Sequence, residues 1–204
     1  MRIRTNSGFH RILAILLSVL CHDAAAEGLV PCDMPIRFTA GWFEDPELDN
    51  TKSSTEVTKI GASAGGKGTQ IGHVIVQTKL AVFPQESCAG FVVRLEYIKP
   101  VLRIASELPP DTCAYARVLT HEYTHVRIYR EMAQQFRELE YPWPKGAASA
   151  SILAFAKREL DRLTRAQVRF DSPEEYAKNQ IMCGGEILRL VKLTAPPKSI
   201  QKPG

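Results

Sequence analysis

The period of the hydrophobic positions changes at Asp111. Before it, apolar residues come in short alternating runs. "HVIVQTKLAVF", from His73, sets Val74, Val76 and Leu80 apart by polar or smaller residues, as on one side of a strand. "MPIRFTAGWF", "GFVVRLEYI" and "PVLRIASEL" also read as strands, bounded by Gly90, Pro100 and Pro109–Pro110. Between the first and second strands, "EDPELDNTKSSTEVTKIGASAGGKGTQIG" is polar and glycine-rich and reads as a long loop. From Asp111 the spacing becomes three and four. Val118, His121, His125, Ile128 and Met132 share one helix face, while Arg117, Arg127, Arg130 and Glu131 lie elsewhere, on what reads as a solvated face.

That first helix is expected to open at an Asp111 N-cap and run to about Glu140, before "YPWPKG". A second, about Ala148 to Val168, carries Ile152, Phe155, Leu160 and Leu163 on its apolar side. A third opens at "DSPEEY": Ser172 caps it, Pro173 takes the first turn and Glu175 completes a capping box. It continues through "AKNQIMCGGEILRLVKL" into a frayed tail. The expected fold class is α+β: a small antiparallel β-sheet followed by three main helices.

The N-terminus reads as a separate segment. Arg2, Arg4 and Arg11 precede the apolar run Ile12–Leu20, too short to span a bilayer, and Ala24 and Ala26 occupy the small-residue positions of a signal-peptidase site. The expected division is a signal peptide over 1–26, one domain over 27–195 and a disordered tail over 196–204. Periplasmic or secreted localisation follows, without stable membrane insertion after cleavage.

Export changes how the cysteines read. Cys32, Cys88, Cys113 and Cys183 remain in an oxidising compartment, where two disulfides are expected. Of three possible pairings, Cys32–Cys88 and Cys113–Cys183 are preferred, each tying one layer of the fold. Composition fits a folded domain, 45% hydrophobic and 24% charged. Losing Arg2, Arg4, Arg11 and Asp23 takes Lys+Arg from 26 to 23 and Asp+Glu from 22 to 21, so the net charge falls from +4 to +2. That near-neutral balance gives no reason to expect a nucleic-acid partner. Nor is a nucleotide expected. Gly61, Gly66 and Lys67 match most of a P-loop, but Gly68 stands where its hydroxyl residue belongs and a strand follows, so the stretch reads as a flexible turn.

The chemistry is concentrated in "VLTHEYTHVRIYRE". Residues four apart on an α-helix are turned by only about 40°, so His121 and His125 share a face. Two such imidazoles can grip one Zn2+ at about 2.0–2.1 Å. Glu122 points to the side, where it can take a proton from water activated by the ion. Both histidines lie on the apolar face, where an unpaired imidazole would need a partner.

A catalytic zinc needs a third protein ligand and an open position. No histidine follows the motif, and the extended form H-E-x-x-H-x-x-G-x-x-H is absent, because Ile128 and Glu131 occupy its last two defining positions. Glu186 in "MCGGEIL" is the first choice. Two glycines inside a helix cost about 1 kcal/mol each relative to alanine, which makes sense if another backbone must come close or, alternatively, if they mark a bend. Asp171, Glu174, Glu175 and His73 are the other candidates. Tyr176 or Tyr123 could stabilise an oxyanion.

The motif, on a helix after a β-rich segment, resembles the zincin metallopeptidases; a glutamate third ligand would make it gluzincin-like. "CAGFVVRLEY" followed by "HEYTHVRIYREMA" further resembles an uncharacterised family of bacterial secreted zinc-dependent proteases. These pair a cysteine-bearing β segment with a helix of the form H-E-x-x-H-x-x-I-x-x-x-x-A, which Val126, Ile128, Glu131 and Ala133 fit. The resemblance covers roughly residues 88–180. That family carries an acidic residue and then a histidine–glycine pair downstream, where this chain has "FDSPEEYAKNQ", with Tyr176 and Ala177 near the expected pair.

The expected activity is hydrolysis of a peptide or amide bond, with a peptide or protein substrate lying along a strand edge. A non-catalytic scaffold with a structural zinc and an amidase acting on cell-wall peptide are the rival readings.

Overall fold

A computed structural model describes residues 31–42, 44–63, 68–86, 88–142 and 148–191, without the side chains of 31–34 and 180. The expected signal peptide, the expected C-terminal tail and the Gly66–Lys67 part of the P-loop-like turn lie outside the described residues. The chain order is β1 (Pro31–Trp42), β2 (Glu47–Asp49), α1 (Ser54–Ser63), β3 (Gly72–Pro84), β4 (Ala89–Ile104), α2 (Cys113–Arg137), α3 (Ser149–Phe170) and α4 (Pro173–Leu190).

The fold is α+β as expected, but the antiparallel sheet is a correction. β4 is central: β1 and β2 pair with it in parallel along one side, and only β3 pairs antiparallel on the other. Two parallel strands need a long crossover. The stretch between β1 and β4 supplies it: β2 and α1 fall where a long loop was expected, and β3 follows where a strand was. The signal for α1 was present as Ser53-x-x-Glu56. Glu56 Oε2 accepts from the Ser53 N–H at 2.8 Å, and the Glu56 N–H donates to Ser53 Oγ at 3.3 Å, which closes a capping box. Val57 then buries completely.

β4 runs through Pro100 as one strand. Lys99 there has φ 49°, its N–H donates to Glu44 Oε2 at 2.9 Å, and the β3 register shifts opposite, between Ile75 and Gln77. Pro100 has no N–H to give a ladder. It falls in the gap where β1 pairing has ended at Tyr97 and β2 pairing begins at Val101.

α2 packs on the sheet through two clusters. Ile128, Met132 and Phe136 meet Phe38, Leu95 and Tyr97, with Ile152 and Leu163 of α3 closing that side. Nearer its start, Tyr115, Val118 and Val126 meet Val74, Leu102 and Ile104, with Ile187 beyond. The His121–His125 turn therefore sits at mid-helix, held rigid by packing on either side. Thr112, not Asp111, is the N-cap: its Oγ1 accepts from the Tyr115 N–H at 3.1 Å. Ser172 caps α4 as expected, accepting from Glu175 N–H at 3.2 Å.

α4 is broken. Cys183, Gly184 and Gly185 have φ of 55°, 60° and 72°, left-handed values that glycine adopts most freely. A Cβ added at Gly184 or Gly185 would meet nothing within 4 Å, so these glycines serve the bend and not a close helix approach. The expected Cys113–Cys183 disulfide is present, with Cα atoms 5.7 Å apart, and joins the first residue of α2 to this break. Cys88 is also disulfide-bonded; the side chain of its expected partner, Cys32, lies outside the described set. No described helix is long and apolar enough to cross a membrane.

Candidate metal centre

α2 presents His121 and His125 toward the junction of α3 and α4, where Asp171 caps the end of α3. The three facing atoms form a triangle. The two Nε2 atoms are 3.3 Å apart, and Asp171 Oδ1 lies 3.2 Å from His121 Nε2 and 3.0 Å from His125 Nε2. Tetrahedral ligands at about 2.0–2.1 Å from a zinc ion stand roughly 3.3 Å from one another. The triangle therefore has the dimensions of one face of a zinc tetrahedron, with two nitrogens and one carboxylate oxygen as its donors.

The hydrogen bonds behind His125 favour the same state. Gln167 Nε2 donates to the His125 carbonyl at 3.2 Å, so its oxygen must face the ring, where Oε1 lies 2.6 Å from Nδ1. Nδ1 thus carries the proton and Nε2 directs its lone pair into the triangle. A lone pair and a carboxylate oxygen 3.0 Å apart repel unless a proton or a cation lies between them. Electrostatics agree. Burial alone would lower the His125 pKa, but the Asp171 hydrogen bond and the Glu122 and Asp171 charges outweigh it and raise it. Burial alone would raise Asp171, but hydrogen bonds and charge from both histidines hold it below the usual carboxylate range. Phe170 stacks on His121, centroids 4.6 Å apart, and meets His125 edge-on at 5.0 Å, which screens one side of the centre from water.

Glu122 is only 4% exposed. Burial pushes its carboxyl up to about 8; the nearby His125 opposes this, and Asp171 adds to it. The cradle for this side chain comes from the start of β3. A Cβ at Gly72 would lie 2.3 Å from Glu122 Oε1 and 2.7 Å from Val118 Cγ1. Gly72→Ala is therefore expected to cost about 1–3 kcal/mol by overpacking and to displace the carboxylate. Chemical denaturation measures the loss, and unchanged stability would mean that strand and helix part easily.

The structure does not bring the first choice of third ligand to the two histidines. Glu186 does not join the triangle: its Oε2 accepts the Ala114 N–H at 2.8 Å, placing an anion at the start of α2. Asp171, a reserve candidate, stands at the third corner of the triangle. Cys113, Cys183 and Glu186 also cluster, but the two sulfurs are spent in the disulfide. Glu175 pairs with Arg117 at 3.0 Å, so Arg117 is no member of a solvated face. Glu174 lies exposed on the first turn of α4. His73 stands outside the triangle, with its buried Nε2 lacking a hydrogen-bond partner among the described residues. Tyr123 is 49% exposed, on a surface formed with Leu119, Thr124 and Arg127. Tyr176 instead approaches His121, centroids 6.4 Å apart, and burial, with Asp171 and Glu122 nearby, pushes its phenol up to about 12.

Sequence reasoning missed Gln167, Phe170, Gly72 and Asn179, because each acts across elements and none belongs to a motif. The gluzincin-like part of the resemblance rests on a glutamate ligand, and the geometry offers an aspartate. No family model matches the chain, and no curated protein or solved structure is detectably similar to it.

Proposed function

We propose that the protein is an exported zinc-dependent hydrolase of peptide or amide bonds, with His121, His125 and Asp171 as metal ligands and Glu122 as general base. The observation that carries this reading is the donor triangle, whose sides of 3.0, 3.2 and 3.3 Å suit tetrahedral zinc. Zinc bound there would acidify a water and polarise a carbonyl.

The chain's own groups supply the rest. Glu122, ionised beside a bound cation, can take the proton of that water and pass it on to a leaving amine. Tyr176 stays protonated and can donate to a developing oxyanion. β3 pairs only with β4 among the described residues, and its outer edge, which begins beside Glu122, is where an extended peptide would add as a further strand. Three candidate ligands among the described residues favour an open catalytic site over a structural one, which takes four.

Metal analysis and hydrolysis assays on the mature protein test this reading. One zinc per chain is expected, with cleavage of a peptide library or of cell-wall peptide lost on chelation and restored by zinc. Metal without turnover on either substrate class would favour the structural-zinc scaffold. Absence of stoichiometric metal would end both readings.

A further inference from the structure

We infer that Arg117 is a positioning residue for this centre, fastening the first half of α4 across it and orienting His121. The inference rests on the metal-centre reading and names a residue that reading does not use. Among described side chains of α4 before the break, 173–179 and 181, none is buried, and Ile181 is 76% exposed. The half beyond the break is anchored instead by Ile187, 2% exposed in the core. Because Met182–Gly185 interrupts the helix, that anchor does not set the angle of the first half. The Cys113–Cys183 disulfide holds the far end of that half at the break, which leaves the span that carries Tyr176 to be set by its contacts with α2.

Arg117 has the required contacts. It precedes His121 by four residues on α2 and so shares its face. Its Nε–H donates to Asn179 Oδ1 at 2.7 Å, and its Nη2 donates to Glu175 Oε1 at 3.0 Å. Those acceptors are one turn apart on α4, and Tyr176 lies between them. With its oxygen committed to Arg117, Asn179 turns its amide nitrogen toward His121 Nδ1, 3.4 Å away. A chain therefore runs from Glu175 through Arg117 and Asn179 to the metal-facing imidazole. Lysine cannot replace arginine here, because a single ammonium does not present a planar fork to two acceptors. The geometry also exposes a mismatch. A histidine holding metal through Nε2 carries its proton on Nδ1 and needs an acceptor there, which an aspartate at 179 would provide while still pairing with Arg117.

The test compares wild type, Arg117→Lys, Arg117→Ala and Asn179→Asp by four readouts: zinc affinity against a chelating dye, kcat and KM, amide exchange over 173–181, and Tm. Arg117→Lys is expected to fold normally yet lose about 10–100-fold in kcat. Its zinc affinity should fall by about 10-fold, and exchange should quicken over 173–181 but not over 186–190. Asn179→Asp is expected to bind zinc more tightly than wild type. Wild-type zinc affinity, kcat and exchange in both Arg117 variants would overturn the inference. If Arg117→Ala fails to fold, Arg117→Lys carries the comparison. Wild type is measured first. If it holds no zinc, the metal reading itself fails and Arg117 has nothing to position; zinc-loaded wild type with unaffected variants condemns only Arg117.

Discussion

Glu122→Gln is expected to lower kcat/KM by roughly 10²–10⁴-fold, the usual worth of a positioned general base, while zinc content stays at the wild-type level. The same substitution should stabilise the metal-free protein at pH 8. In the folded state the Glu122 carboxyl has its pKa raised from 4.5 to about 8, chiefly by burial. A raised acid favours the fold only while it is protonated. Its contribution is intact below pH 4.5 and is lost as pH climbs toward about 8. His125 acts in the same direction: its pKa is raised, so its contribution is present below 6.5 and fades as pH passes the folded value. Asp171 acts oppositely, because its pKa is lowered and its contribution is lost only as pH falls below the ordinary carboxylate range.

The metal-free wild type should therefore weaken between pH 5 and pH 8, by an amount on the order of 2–5 kcal/mol. Glu122→Gln removes most of that slope, and added zinc shrinks the difference by stabilising the ionised carboxylate. Urea denaturation at both pH values, with and without zinc, measures each effect. A wild-type slope retained in the glutamine variant would mean that Glu122 is not the group being neutralised. Undiminished hydrolysis would remove it as the base.

The second large effect separates the two carboxylates that compete for the third ligand position. Asp171→Ala removes a corner of the donor triangle, and zinc affinity should fall by more than the roughly 10–100-fold that an outer-shell partner is worth. Glu186→Ala should leave zinc affinity untouched. Its loss is the hydrogen bond to the Ala114 N–H at the start of α2, and the cost is stability, about 1–2 kcal/mol. Isothermal titration with zinc and thermal denaturation of both variants give the two numbers. Equal zinc affinity in Asp171→Ala and wild type would sink the triangle, and a large zinc deficit in Glu186→Ala would restore the first expectation.

Local physics was enough for part of this protein. The spacing of His121 and His125, the glutamate between them, the long amphipathic helix that carries them and the Ser172–Pro173 start of α4 are all set by residues within a turn or two of one another. Such relations follow from helix geometry alone. The Ser53-x-x-Glu56 box that begins α1 belongs to the same class, and the glycine-rich stretch after it obscured it. Strand direction was not local. β1 is parallel to β4 because the chain between them crosses back through α1 and β3, and alternation along a strand says which face is apolar without saying which way its neighbour runs. The carboxylate that closes the donor triangle was not local either. Two glycines before Glu186 are compatible with a close approach or with a bend, and only the folded chain distinguishes them: their left-handed backbone turns the helix, leaving Glu186 at the head of α2. Asp171 reaches the histidines because α3 ends against the middle of α2. The His125–Gln167 pair and the Arg117–Glu175–Asn179 link arise from the same docking of helices. A chain specifies its turns by short-range sterics and hydrogen bonding. Which carboxylate meets which imidazole across fifty residues depends on how whole apolar faces pack, and no short window of sequence contains that information.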